Sequence, residues 1–148
     1  GFTLIELMSV VAIIGIITAI AFPSYQNMIN AAARSTAQAD LMSFAAAMER
    51  HNASSFSYKG AAETGANIGK PTIFASHSPS SEPAGNKRYE LTIDDVSANG
   101  IAFRLKATPI SGGSLASDGA LFIYSDGRKA WDLDNNGSIA TNEFCWTC

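Results

Sequence analysis

The residues best placed to do chemistry lie near the C-terminus. From Asp132 to Glu143 the chain reads DLDNNGSIATNE. Oxygen-bearing side chains fall at the first, third and fifth places of this loop: Asp132, Asp134 and Asn136. Gly137 follows where such a loop must turn sharply, and the Ser138 carbonyl comes next. Glu143 closes it at the place that calls for a bidentate carboxylate. Clustered oxygens at this spacing are what a hard cation such as Ca²⁺ requires. No helical pattern precedes the loop, so a full EF-hand is not expected, and Asp-Asn-Asn-Gly is also an ordinary turn. The expected role is structural, with an affinity of roughly 10⁻⁴–10⁻³ M, as in extracellular modules.

Two further groups carry potential chemistry. Cys145 and Cys148 are the only cysteines. They can form a small disulfide, remain free thiols, or serve as a redox pair or half a zinc site. A disulfide fits best if this part of the chain lies outside the cytosol. A redox motif would be expected at a helix start in a βαβ pattern, which is absent. Glu6 is the single charge within the apolar stretch Phe2–Phe22. A carboxylate in such a stretch invites a cationic partner. The nearest candidate is the amino terminus of its own chain or, in an assembly, that of a neighbouring copy. Nothing suggests catalysis: the two histidines, His51 and His77, and the scattered serines share no spacing logic. The net charge of −3 gives no basic footprint for nucleic acid, and no specific nucleic-acid site is evident.

These groups must be positioned by the elements around them. The run Phe2–Phe22 is long enough to cross a bilayer as a helix. No Lys or Arg precedes it, and Phe22-Pro23-Ser24-Tyr25 makes a poor signal-peptidase site. Its apolar residues cover every face, whereas a surface helix shows only a stripe. A membrane span or the core of a multi-subunit assembly is therefore expected. Residues 24–53 continue as an amphipathic helix. Leu41, Phe44, Ala45 and Met48 lie on its covered face, with Tyr25, Ile29 and Ala32 extending the stripe upstream. Arg34, Gln38, Glu49 and Arg50 mark its wetter sides. Pro23 should bend this long helix. Gly15 and the β-branched residues before Pro23 make a segment that can locally extend under strain.

The division expected is a helix over residues 1–53 and a globular head over 54–148. Residues 54–87, rich in Ser, Gly, Pro and Ala, form a connecting loop with a short strand near Thr72–Ala75. Four strands follow, on alternation and turn signals. They cover Tyr89 to Asp94, Ile101 to Thr108, Leu121 to Tyr124 and Arg128 to Leu133, with Asn99-Gly100 and Asp126-Gly127 as turns. Residues 132–148 form a C-terminal loop. The fold class is α+β: a long kinked helix packed on a four-stranded antiparallel meander.

Residues 1–23, GFTLIELMSVVAIIGIITAIAFP, strongly resemble the N-terminus of type IV pilins. Pro23-Ser24-Tyr25, Arg34, Ala37-Gln38, Ala47-Met48-Glu49-Arg50 and the closing Cys145-Trp146 resemble pilins of proteobacterial twitching systems, including a class of minor pilins. The resemblance implies a subunit that polymerises through its N-terminal helix into an extracellular filament for adhesion, twitching motility or DNA uptake. The related alternative is a pseudopilin of a type II secretion system. The implied partners are identical or related pilins, a prepilin peptidase and an inner-membrane assembly platform. The peptidase would cut between Gly1 and Phe2 and methylate the new amino terminus. Glu6 would neutralise the terminal amine of an adjacent subunit, and Gly15–Pro23 would melt in the filament. The protein would reside in the inner membrane before assembly and in the pilus afterwards. Pilins of this kind pair the C-terminal Cys with one near the third strand. Here Ser117-Asp118-Gly119-Ala120-Leu121 holds none, leaving only Cys148.

Overall fold

The computed structural model describes all 148 residues. One helix, α1 (Leu4–Ser55), occupies the first third of the chain. Thr3 caps its start by accepting from the Glu6 amide at 3.3 Å, while Glu6 Oε2 accepts from the Thr3 amide at 2.8 Å. This reciprocal box satisfies two donors that a helix start otherwise leaves free. The Thr-x-x-Glu spacing that encodes it was legible, although the sequence reading passed over it. The helix runs uninterrupted through Gly15 and Pro23. The local extension expected there is absent in the single chain. The reason is cooperative: once nucleated, a long helix gains a bond per residue and can absorb the one missing at Pro23. It ends at Phe56, which adopts a left-handed conformation (φ 57°) and donates its amide to the Asn52 carbonyl at 2.7 Å.

The head is a five-stranded antiparallel sheet in simple sequence order. Its strands are β1 (His77–Ser78), β2 (Tyr89–Val96), β3 (Phe103–Pro109), β4 (Leu121–Tyr124) and β5 (Lys129–Trp131). The alternation along β2 and β3 sends Tyr89, Leu91, Ile93, Phe103, Leu105 and Ala107 inward, all buried. The covering stripe on α1 is Ala33, Ala37, Leu41, Phe44, Ala47 and Met48. Burying each large side chain of this set contributes about 1.5–3 kcal/mol. The small Ala33 and Ala37 let the helix approach the sheet closely.

Several expectations need correction. The sheet has five strands rather than four, because β1 joins the edge. It forms at His77–Ser78, not near Thr72–Ala75. The physical reason is Asp40, a buried carboxylate on α1. Its oxygens accept from the Ser78 hydroxyl at 2.6 Å, the Ser80 amide at 3.0 Å and the Ser80 hydroxyl at 2.6 Å. This clamp lays the segment beside β2. The upstream stripe also differs: Tyr25 and Ala32 are exposed, and Ala33 and Ala37 take their place. Arg34 and Gln38 are half-buried against the head, not on a wet side. Ile101 is exposed, because it belongs to the turn before β3. The last strand is shorter than expected, since the chain leaves the sheet at Asp132 to begin its loop.

Candidate functional site

The N-terminal half of α1 touches no other part of the chain. Every residue from Gly1 to Tyr25 is exposed. Ile13 and Ile14, at its middle, each expose 57% of their surface. By length and composition this segment can cross a membrane. An apolar surface of this extent, bare on all sides, marks a segment that is covered by lipid or by other subunits. Glu6 is the only charged side chain on it. In the single chain it is held by Thr3, whose hydroxyl also donates to Oε2 at 2.8 Å. A carboxylate has lone pairs left over, so this bonding leaves room for an incoming amine.

The C-terminal loop draws Asp132, Asp134 and Glu143 together, with one carboxylate oxygen of each within 4.8 Å of the others. Asp132 and Glu143 are both 3% exposed, and neither has a basic partner. Backbone amides hold them instead. Asp132 accepts from Asn136 at 3.0 Å and Gly137 at 2.9 Å. Glu143 accepts from Leu133 at 2.9 Å and Ala140 at 2.9 Å. This arrangement can hold a cation. Asn136 meets the cluster with its amide nitrogen, not its oxygen: its Nδ2 donates to Asp134 at 2.7 Å, while its Oδ1 accepts from the Ser138 amide at 2.8 Å. No contact places the Ser138 carbonyl at the cluster.

The tail beyond the loop is fastened twice. Cys145 and Cys148 form a disulfide. Trp146 Nε1 donates to the carbonyls of Phe122 at 3.1 Å and Ala130 at 3.2 Å. Gln38 Nε2 on α1 donates to the Trp146 carbonyl at 3.2 Å.

Sequence reading missed two further clusters. The first joins helix to head beneath the sheet. Arg34 binds Asp118 with two bonds, one of them Nε to Oδ2 at 2.9 Å. The Tyr89 hydroxyl donates to the same oxygen at 2.6 Å, and Trp131 Nε1 donates to the Asp118 carbonyl at 2.6 Å. The Arg34 guanidinium also lies 4.0 Å from the Trp131 ring centre. Burial, reinforced by Asp118, pushes the Tyr89 hydroxyl far above its ordinary pKa. The bond to Asp118 raises that of Arg34. These partners lie 84 residues apart, so no local signal announces them. The second cluster covers the outer sheet face. Arg104 and Lys106 lie over Phe122, and Arg128 over Tyr124 and Phe144, while Lys129, opposite Ile123 in the register, lies over Trp146 on the helix side of the sheet. Asp94 pairs with Arg104 and Asp126 with Arg128, whereas Lys106 and Lys129 have no acidic partner.

A bare apolar rod on a small α+β head defines a class of polymerising or membrane-anchored subunit, and comparison with known proteins narrows it. A family model described as type IV minor pilin ComP, DNA uptake sequence receptor, matches residues 23–119. A model of the prokaryotic N-terminal methylation motif matches residues 1–22. The chain belongs to the type IV pilins, in the minor pilin family that the first model describes. It is 79% identical over 29 residues to a type IV major fimbrial protein FimA of Dichelobacter nodosus, covering 20% of this chain and 19% of that protein. It is 27% identical to fimbrial protein Q of Moraxella bovis over all of this chain and 83% of that protein. The match to FimA thus spans about a fifth of that relative's length. No solved structure matches the chain.

Proposed function

We propose that this chain is stored in the inner membrane through residues 2–22 and is then drawn into a pilus, where the same residues pack against those of neighbouring subunits. The observation that carries this reading is the complete exposure of an apolar segment that its own head never covers. In this reading a prepilin peptidase removes Gly1 and methylates Phe2. Glu6 then neutralises the new amine on the adjacent subunit as it docks from the assembly platform. Gly15 and Pro23 mark the stretch where the helix loosens in the filament, since each weakens it locally. Replacing Glu6 with Ala tests this reading. Subunits should accumulate in the membrane, and filaments sheared from cells should lack the chain. Undiminished incorporation of the variant would refute it.

A specific observation favours duplex DNA as the filament's ligand. The matched family is described as a DNA uptake sequence receptor, and three cations, Arg104, Lys106 and Arg128, lie over aromatic rings on the outer sheet face. Lys106, free of an acidic partner, is the group on this face that a phosphate would engage. Each phosphate contact steepens the salt dependence of binding by about 0.9 in logarithmic slope. Replacing Lys106 with Gln should therefore flatten the slope by about 0.9. An unchanged slope would remove Lys106 from the DNA contact.

The C-terminal loop enters the same reading as a structural calcium site. Asp132, Asp134 and Glu143 would supply the charge, and Asn136 and the Ser138 carbonyl would join them only on a rearrangement of the loop, since the Asn136 Oδ1 accepts from the Ser138 amide here. What supports this is the pairing of two buried carboxylates without any cationic side chain. The cation would hold the loop closed and add no chemistry.

A further inference from the structure

The head has one end that faces the membrane before assembly, and its chemistry differs from the rest. Asn30 on α1 fixes that end. Its Nδ2 donates to the Ser114 carbonyl at 3.0 Å, and its Oδ1 accepts from the Ser114 hydroxyl at 2.7 Å. Asn30 lies eight residues beyond Phe22, the last residue of the apolar run. At the helical rise that is about 12 Å. The headgroup layer outside each face of the hydrocarbon core is about 5–7 Å thick. Ser114 therefore stands within a few ångströms of the headgroups whenever the rod spans the bilayer.

Beside Ser114 lies a cavity of about 170 Å³ lined by Lys87, Arg88, Ile110, Gly113, Ser114 and Leu115. Lys87 and Arg88 are both exposed. Neither takes part in any of the four ion pairs of the molecule. The nearest acid on the neighbouring loop, Asp118, is already committed to Arg34 and Tyr89. The base of the head thus presents two unneutralised cations, a hydroxyl and an apolar floor. That combination fits a phosphodiester with its attached acyl or glycerol carbons.

We propose that the base of the head docks on anionic phospholipid through Lys87 and Arg88, which receive a lipid phosphodiester in this cavity while the rod spans the bilayer. The docked head stands upright and near the surface. Extraction into a filament must release it. This inference rests on the membrane-anchored stage proposed above. Each cation near an anionic surface is worth about fivefold in the docked population, so the pair is worth about thirtyfold. The attraction is confined to roughly a Debye length, about 10 Å at 0.1 M salt.

The test uses the full chain inserted in vesicles of phosphatidylcholine or of phosphatidylglycerol. A fluorophore is placed on the base loop by Ser111→Cys, and a quencher is carried on the lipid headgroups. Quenching should be stronger in phosphatidylglycerol, should fall with added salt, and should be lost in the Lys87→Gln/Arg88→Gln variant. The Arg50→Gln/Lys59→Gln variant removes the same charge from the opposite end of the head and should behave as the parent. If the chain does not float with vesicles, the membrane-anchored reading fails and this inference falls with it. If it floats but quenching ignores lipid charge, only the base contact is overturned. Equal loss in both variants would mean that net charge acts at a distance and would overturn the site. Capture of a duplex oligonucleotide through Lys87 and Arg88, with quenching indifferent to lipid charge, would replace the lipid assignment.

Discussion

Replacing Asp118 with Ala removes the acceptor that joins helix, sheet and loop. Three donated bonds disappear at once: two from Arg34 and one from the Tyr89 hydroxyl. The carboxylate is 9% exposed and its Arg34 partner 22%. Breaking a fully buried pair by removing one partner costs about 3–5 kcal/mol. Arg34 retains some contact with water, so the cost here is about 2–3 kcal/mol, discounted for that screening. In a chain of this size 1 kcal/mol corresponds to roughly 2–4 °C in melting temperature, so a fall of about 5–10 °C is expected. The assay is thermal unfolding of the full chain in detergent, followed by near-ultraviolet circular dichroism, to which Trp131 and Trp146 both contribute. A cycle with Arg34→Met should show a coupling of at least about 1 kcal/mol, because the two residues are in contact. The exposed pair Asp126–Arg128 serves as a comparison, and its removal should leave the melting temperature close to the parent's. A melting temperature within about 2 °C of the parent, or a coupling near zero, would refute the claim that this cluster fixes the head on the rod.

Three further outcomes follow from the same geometry. Tyr89 holds its proton more tightly when folded than the ordinary value of 10.0, so its contribution is intact below pH 10 and is lost above it. Stability should fall by about 1.4 kcal/mol per pH unit above pH 10 on its account, and Tyr89→Phe should shallow that decline in alkaline melts. Gly119 has φ +77°, and a Cβ there would lie 1.8 Å from the Asp132 carbonyl oxygen. Gly119→Ala should therefore lower the melting temperature sharply, while Gly113→Ala, which meets open space, should not. Chelation of divalent ions should lower the melting temperature of the parent and leave an Asp132→Asn/Glu143→Gln variant unmoved. Equal melts of the parent with and without chelator would exclude a structural cation.

The sequence disclosed what is local. The length of α1, the alternation along β2 and β3, the Asp126-Gly127 turn and the convergence of Asp132, Asp134 and Glu143 all rest on spacing within a few residues. What stayed hidden depends on the sheet's position relative to the helix. Asp40 reads as a polar residue on a helix until Ser78 and Ser80 arrive beneath it. Arg34 reads as a wet-side cation until Asp118 and Trp131 enclose it. β1 could not be seen at all, since its two residues pair only because Asp40 holds them there. Asn136 shows the converse: the loop spacing assigns its oxygen to a cation, but the backbone turn claims it for the Ser138 amide.

The sheet's outermost strands have their own consequence. A long open rim on a β-sheet invites another chain to add to it, and in a protein concentrated along a fibre that would fuse heads at random. Here one rim is only the pair His77–Ser78. The other is the three residues Lys129–Trp131, with Trp146 drawing its indole over the adjacent carbonyls. Neither offers a usable template for strand addition. In the filament proposed above, strand addition between neighbouring heads is thereby closed off as a route to fusion.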